Sequence, residues 1–151
     1  MMFDEAAKIL KCTVFPAGGE NSDMQAEIMS EINATGYVGI PDFLKIIIEK
    51  AEKNKLPINS LNKALFSGGP LFPKVADFFK SKNIKFYQCY GTADLGLIAY
   101  EADIDDGMII DEDIILEIVK PGTNDRVPDG EVGEVIVTVL NNYELPIVRL
   151  S

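Results

Sequence analysis

A change of period constrains this chain most. Over the first two thirds, apolar residues at helical spacing alternate with short β-prone runs, and the links between them are brief. Phe3, Ala6, Ala7 and Leu10 fall on one helical face. Cys12-Thr13-Val14-Phe15 reads as a short strand ended by Pro16 and Gly18-Gly19. Asn21 or Ser22 fits the N-cap of a next helix, with Met24, Ile28 and Ile32 on its apolar face. Ala34 to Ile40 reads as a strand. Pro41 suits a first helical turn, where its missing N–H costs nothing. Phe43, Leu44, Ile47, Ile48 and Ala51 form that helix's buried stripe. A polar connection over Asn54 to Asn62 leads to a buried strand at Ala64-Leu65-Phe66. Phe72, Val75, Ala76 and Phe79 mark another helix, and Ile84 to Cys89 another strand, closed by Tyr90-Gly91. Such alternation predicts a parallel sheet with helices on both faces.

Near Asp103 the character changes. Asp103 to Gly107 reads as an acidic turn, and the helical period then disappears. Ile114 to Val119, Val132 to Leu140 and Pro146 to Leu150 read as strands, separated by Pro121-Gly122 and Pro128-Asp129-Gly130. The expected fold is α/β: a partial parallel sheet with flanking helices over residues 1–103, then a β-rich antiparallel extension over 104–151. No repeat and no low-complexity segment interrupts this order.

Composition narrows the function. The 151 residues suffice for one domain with a sizeable core, and 47% of them are hydrophobic. Lys45 interrupts the longest apolar region, Phe43 to Ile48, so no run is long enough to cross a bilayer. Asp4 and Glu5 stand where a secretory signal would be basic. Cys12 and Cys89 lie in apolar segments without metal-ligand spacing. They read as small buried residues in a reducing compartment, and a cytoplasmic location follows. The net charge of −10 would repel a nucleic-acid backbone or an anionic membrane, so neither is expected as a partner. A nucleotide is still permitted, because backbone N–H groups and a metal ion can hold phosphates without a basic surface. There is no histidine, which removes His-based acid–base chemistry, Ser-His-Asp triads and His metal sites.

Two loops carry candidate chemistry. Ser67-Gly68-Gly69-Pro70 joins a strand to a helix. Its glycines let backbone pass close to a flat or charged ligand, at the strand end where such ligands gather; the same residues also make an ordinary turn. Tyr90-Gly91-Thr92-Ala93-Asp94 offers an aromatic face, a flexible glycine, a hydroxyl and a carboxylate. That set could stack a base, approach a phosphate and hold Mg²⁺ through Asp94. Equally, Tyr90 could pack in the core and Asp94 be solvated. Gly130-Glu131-Val132-Gly133-Glu134 reads as a turn into a strand with exposed acids. Arg149, near the end of an apolar run, is either exposed or paired.

Taken in order, Ser-Gly-Gly-Pro, Tyr-Gly-Thr-Ala-Asp, Gly-Glu-Val-Gly-Glu and Leu-Pro-Ile-Val-Arg resemble the adenylate-forming ligases, particularly the phenylacetate–CoA ligase group. Thr13-Val14-Phe15-Pro16-Ala17-Gly18 and Thr35-Gly36-Tyr37-Val38-Gly39-Ile40-Pro41 look like that group too, so the similarity covers nearly the whole chain. The resemblance implies a two-step reaction. ATP and a carboxylic acid form an acyl adenylate and pyrophosphate; CoA then attacks to give a thioester and AMP. It implies that backbone at Ser67, Gly68, Gly69 and Pro70 borders the adenine, with Tyr90 against the ring and Gly91 and Thr92 beside the nucleotide. Asp94 stands where the family usually has a Glu that helps hold Mg²⁺. Tyr37, Gly39, Ile40 and Pro41 would lie near the acid pocket.

The departures also matter. Ala93 replaces the usual Ser or Thr, and Thr92 could substitute for the lost hydroxyl. Asp94 is one methylene shorter than Glu. Some relatives carry Cys and His zinc ligands here, but the stretch Tyr100 to Ile110 has neither, and no zinc is expected. The family's phosphate loop, its Thr-Gly-Asp-like segment and its lysine-bearing C-terminal domain are not among these residues. Negligible ligase activity is therefore expected of the chain alone, since one charge-stabilising donor is already worth about 3–4 kcal/mol. A cut-out piece would also expose apolar surface and form a dimer or higher oligomer. The alternative is a non-catalytic nucleotide-binding or interaction module derived from such a ligase. Which acid is used is not legible here.

Overall fold

The computed structural model of the chain describes residues 2–19, 21–103, 107–144 and 146–151. The order begins α1 (Met2–Ile9), α2 (Ser22–Glu31), β1 (Gly36–Gly39), α3 (Pro41–Lys53), β2 (Lys63–Phe66), α4 (Pro73–Ser81) and β3 (Lys85–Thr92). Among the described residues it continues with strands: β4 (Gly96–Tyr100), β5 (Ile109–Ile110), β6 (Ile114–Val119) and β7 (Glu134–Val139). Strands β1 to β5 form one sheet in chain order. The first three are parallel, and β4 and β5 continue it antiparallel. Strands β6 and β7 make a separate antiparallel pair. The α/β class expected from the alternation is the one observed.

Local chemistry explains the helices. In α3, Pro41 occupies the first turn beside Asp42, and Lys50 and Lys53 sit in the last turn, complementing the helix dipole at both ends. Leu44, Ile47, Ile48 and Ala51 are buried at the spacing of one helical face. Helix α4 begins on Pro73 and buries Val75 and Phe79. Asn21 caps α2, its side-chain oxygen accepting the Met24 N–H at 3.0 Å.

Helices α2, α3 and α4 share one core with Ala64, Phe66 and Phe86 of the sheet. Its centre is aromatic: the Phe66 ring lies 4.9 Å from that of Phe79 and 5.8 Å from that of Phe86. Side chains alternate across a strand, so this core occupies one face of the sheet. The other face carries Val38, Leu65 and Tyr87, and Val38 is 52% exposed. The expected helices on both faces are thus not found among the described residues; α2, α3 and α4 all cover the same side.

Other expectations need correction. Cys12 to Phe15 form no strand: although β1 leaves its outer edge open, this run is not paired with it. Cys12 is consequently exposed, whereas Cys89 is buried. Leu10 lies beyond α1 and is also exposed, so the face expected there packs into no core. In α2 the buried residues are Gln25, Ala26 and Met29, while Met24 and Ile32 are exposed. The Gln25 amide donates to the carbonyls of Ala17 and Gly18, which satisfies it in the interior, and the small Ala26 sits in the core shared with α3. Strand β3 does not close at Tyr90-Gly91 but runs on to Thr92, with a bulge between those two residues, and turns into the unanticipated β4. Residues 146–150 form no continuous strand. Pro146 lacks an N–H, Arg149 has φ 52°, and only Leu150 bridges to Val137. Of the acidic turn expected over Asp103 to Gly107, residues 104–106 lie outside the described residues, as does Leu145 of the Leu-Pro-Ile-Val-Arg run.

Arg149 is paired rather than free. Its guanidinium reaches both carboxylate oxygens of Glu117, at 2.7 and 2.6 Å, and the Asn124 side chain at 3.1 Å. The Glu117 side chain is mostly buried and also meets Arg126 at 3.3 Å. Two cations around one nearly buried carboxylate compensate its lost hydration.

Candidate functional site

The parallel strands β1, β2 and β3 present their carboxyl ends at the same end of the sheet. The Ser67 N–H donates to the Gly39 carbonyl at 3.1 Å, which ties the loop after β2 to the end of β1. Gly68 has φ 76°, a conformation that favours glycine. Side-chain atoms at 68 or 69 would be in contact with Ile40, since a Cβ on Gly68 would sit 3.6 Å from Cγ1 and one on Gly69 3.4 Å from Cγ2. Ile40 therefore lies on the side of both glycines where a side chain would stand.

A hollow of about 370 Å³ opens beside this loop. Ser67, Gly68, Gly69 and Pro70 form one wall, and Tyr90 and Gly91 another. Phe66, Gln88, Cys89 and Met108 complete its lining. Tyr90 is 42% exposed at its edge. A Cβ on Gly91 would fall 2.5 Å from the Gly96 carbonyl oxygen, so only glycine lets β3 and β4 approach this closely at the bulge. Burial pushes the Cys89 thiol above its ordinary value, partly opposed by its hydrogen bond with Ser67.

The two loops expected to cooperate are therefore together. Ser67, Gly68, Gly69, Pro70, Tyr90 and Gly91 all border one space. Thr92 and Asp94 do not join them. The Thr92 hydroxyl accepts the Leu95 N–H at 3.1 Å, which shapes the β3–β4 turn, and Asp94 is exposed in that turn. Tyr37 folds back on its own segment: its hydroxyl donates to the Ile40 carbonyl at 3.4 Å, and its ring covers Gly39. Burial raises the Tyr37 pKa, and the Ile40 hydrogen bond opposes the rise. Pro41 is fully buried at the start of α3. Of this second group, Ile40 is the residue that packs against the glycine loop.

Sequence reasoning missed Gln88, Cys89 and Met108. Gln88 did leave a signal, as an amide inside the apolar run Ile84 to Cys89. None of the described residues lining the hollow carries a formal charge, and the described residues hold no group of three or more His, Cys, Asp or Glu that could bind a metal. Backbone, an aromatic edge and neutral polar groups suit a flat, uncharged ring better than a phosphate chain.

A model of the AMP-binding enzyme family matches residues 10–141. The chain belongs to that family. Over 150 residues this AMP-binding chain is 24% identical to the phenylacetate-coenzyme A ligase of Aromatoleum evansii and 25% identical to that of Pseudomonas putida. Each comparison covers 95% of the chain but 34% of the relative, so the chain spans about a third of the length of these proteins. Among solved structures it resembles 2-hydroxyisobutyryl-CoA ligase in an open conformation, in complex with 2-HIB-AMP and CoA. The TM-score is 0.83 at 26% identity, covering 96% of this chain and 34% of that one. The anthranilate CoA ligase AuaEII, at 17% identity and a TM-score of 0.67, shares the fold. The phenylacetate–CoA ligase resemblance read from the loops is thus the one the comparisons show. Among the described residues no helix is long and apolar enough to cross a membrane.

Proposed function

We propose that this AMP-binding chain forms the base-binding side of an ATP-dependent acid–CoA ligase that acts on a small carboxylic acid. The complete enzyme would form an acyl adenylate and then a CoA thioester, in the cytoplasm. The observation that carries this reading is the convergence of Ser67 to Pro70 with Tyr90 and Gly91 around one uncharged hollow. Adenine fits the chemistry of that lining. The triphosphate, its Mg²⁺ and CoA need charged partners that the described lining residues lack; Asp94, in the neighbouring exposed turn, is the proposed contributor to Mg²⁺. Tyr37, Gly39, Ile40 and Pro41 are assigned to the acid side, next to the glycine loop. The hollow is complete enough in this chain for weak nucleotide binding without turnover.

Calorimetry or NMR titration of the chain with ATP and Mg²⁺ tests this. Binding in the millimolar range is expected, falling about tenfold or more in Tyr90→Ala, since a stacked base is worth about 1–3 kcal/mol. Acid-dependent ATP–pyrophosphate exchange should stay at background. Unchanged affinity in the Tyr90 variant would sink the site assignment, and measurable exchange would sink the assignment of catalysis to groups outside these residues.

Self-association is a second expectation. The sheet face that no described helix covers exposes Val38, and Ile40 beside it is 48% exposed. Apolar surface of this kind is removed from water by a second copy. Sedimentation velocity should show a dimer or larger species at high concentration, and a clean monomer would contradict this.

A further inference from the structure

We draw no further inference here: the strongest candidate, the sheet face around Val38, Leu65 and Tyr87 that no described helix covers, with the open edge of β1 beside it, carries only the self-association already expected of it, because nothing in the structure shows what covers it.

Discussion

Replacing Phe79 by alanine should cost the chain about 3–5 kcal/mol, a large part of the roughly 5–15 kcal/mol by which domains are stable. Phe79 is fully buried. Its ring lies 4.9 Å from that of Phe66, 5.6 Å from that of Phe78 and 6.1 Å from that of Phe86, so it joins α4 to two strands at once. The cavity would open where helix and sheet meet, and neither can move far because α2, α3 and α4 share this core. A thermal melt followed by circular dichroism should fall by about 10 °C or more, from the usual few degrees per kcal/mol in a domain of this size. A fall below about 3 °C would mean that α4 does not pack as described.

Alanine at position 91 should damage the site more than its single methyl group suggests. The new Cβ would lie 2.5 Å from the Gly96 oxygen and 3.4 Å from the Leu97 Cα, both backbone atoms that cannot rotate away. Strands β3 and β4 would have to separate at the bulge, at a cost of about 1–3 kcal/mol. The wall carrying Tyr90 would shift with them, so ATP affinity should fall along with stability. Gly19→Ala is the control. Nothing lies within 4 Å of its added Cβ, and its melting temperature should match the wild type. Equal behaviour of the two variants in melts and titrations would contradict the close approach at Gly91.

What could be read in advance follows from how local its cause is. Helix α3 was legible because Pro41 starts it and its buried stripe repeats at helical spacing. Ile114 to Val119 was legible because an apolar run bounded by turn residues has few alternatives. The glycine loop was placed at a strand end by the same logic, whereas Tyr90-Gly91 lies within β3 at a bulge that no local pattern announced. Features set by distant partners were not legible. Cys12 to Phe15 has the composition of a strand but is not paired with the open edge of β1. The buried side of α2 was decided by Ala17 and Gly18, whose carbonyls accept the Gln25 amide, rather than by the Met24, Ile28 and Ile32 stripe. Gln88 looked like an interruption in a strand. Its partner, Glu101, lies thirteen residues later and meets it only in the folded chain. The ion pair of Arg149 with Glu117 likewise joins residues thirty-two apart, a separation that no local pattern reports.

Ile40 lies on the side of Gly68 and Gly69 where a side chain would stand, and belongs to the segment assigned to the acid side. On that assignment, one aliphatic side chain is shared furniture for two substrates. A substitution there that widens room for a bulkier acid would also change the side chain beside the backbone proposed to border adenine. Acid selectivity and nucleotide grip would then be inherited together, and evolution could not retune one without disturbing the other.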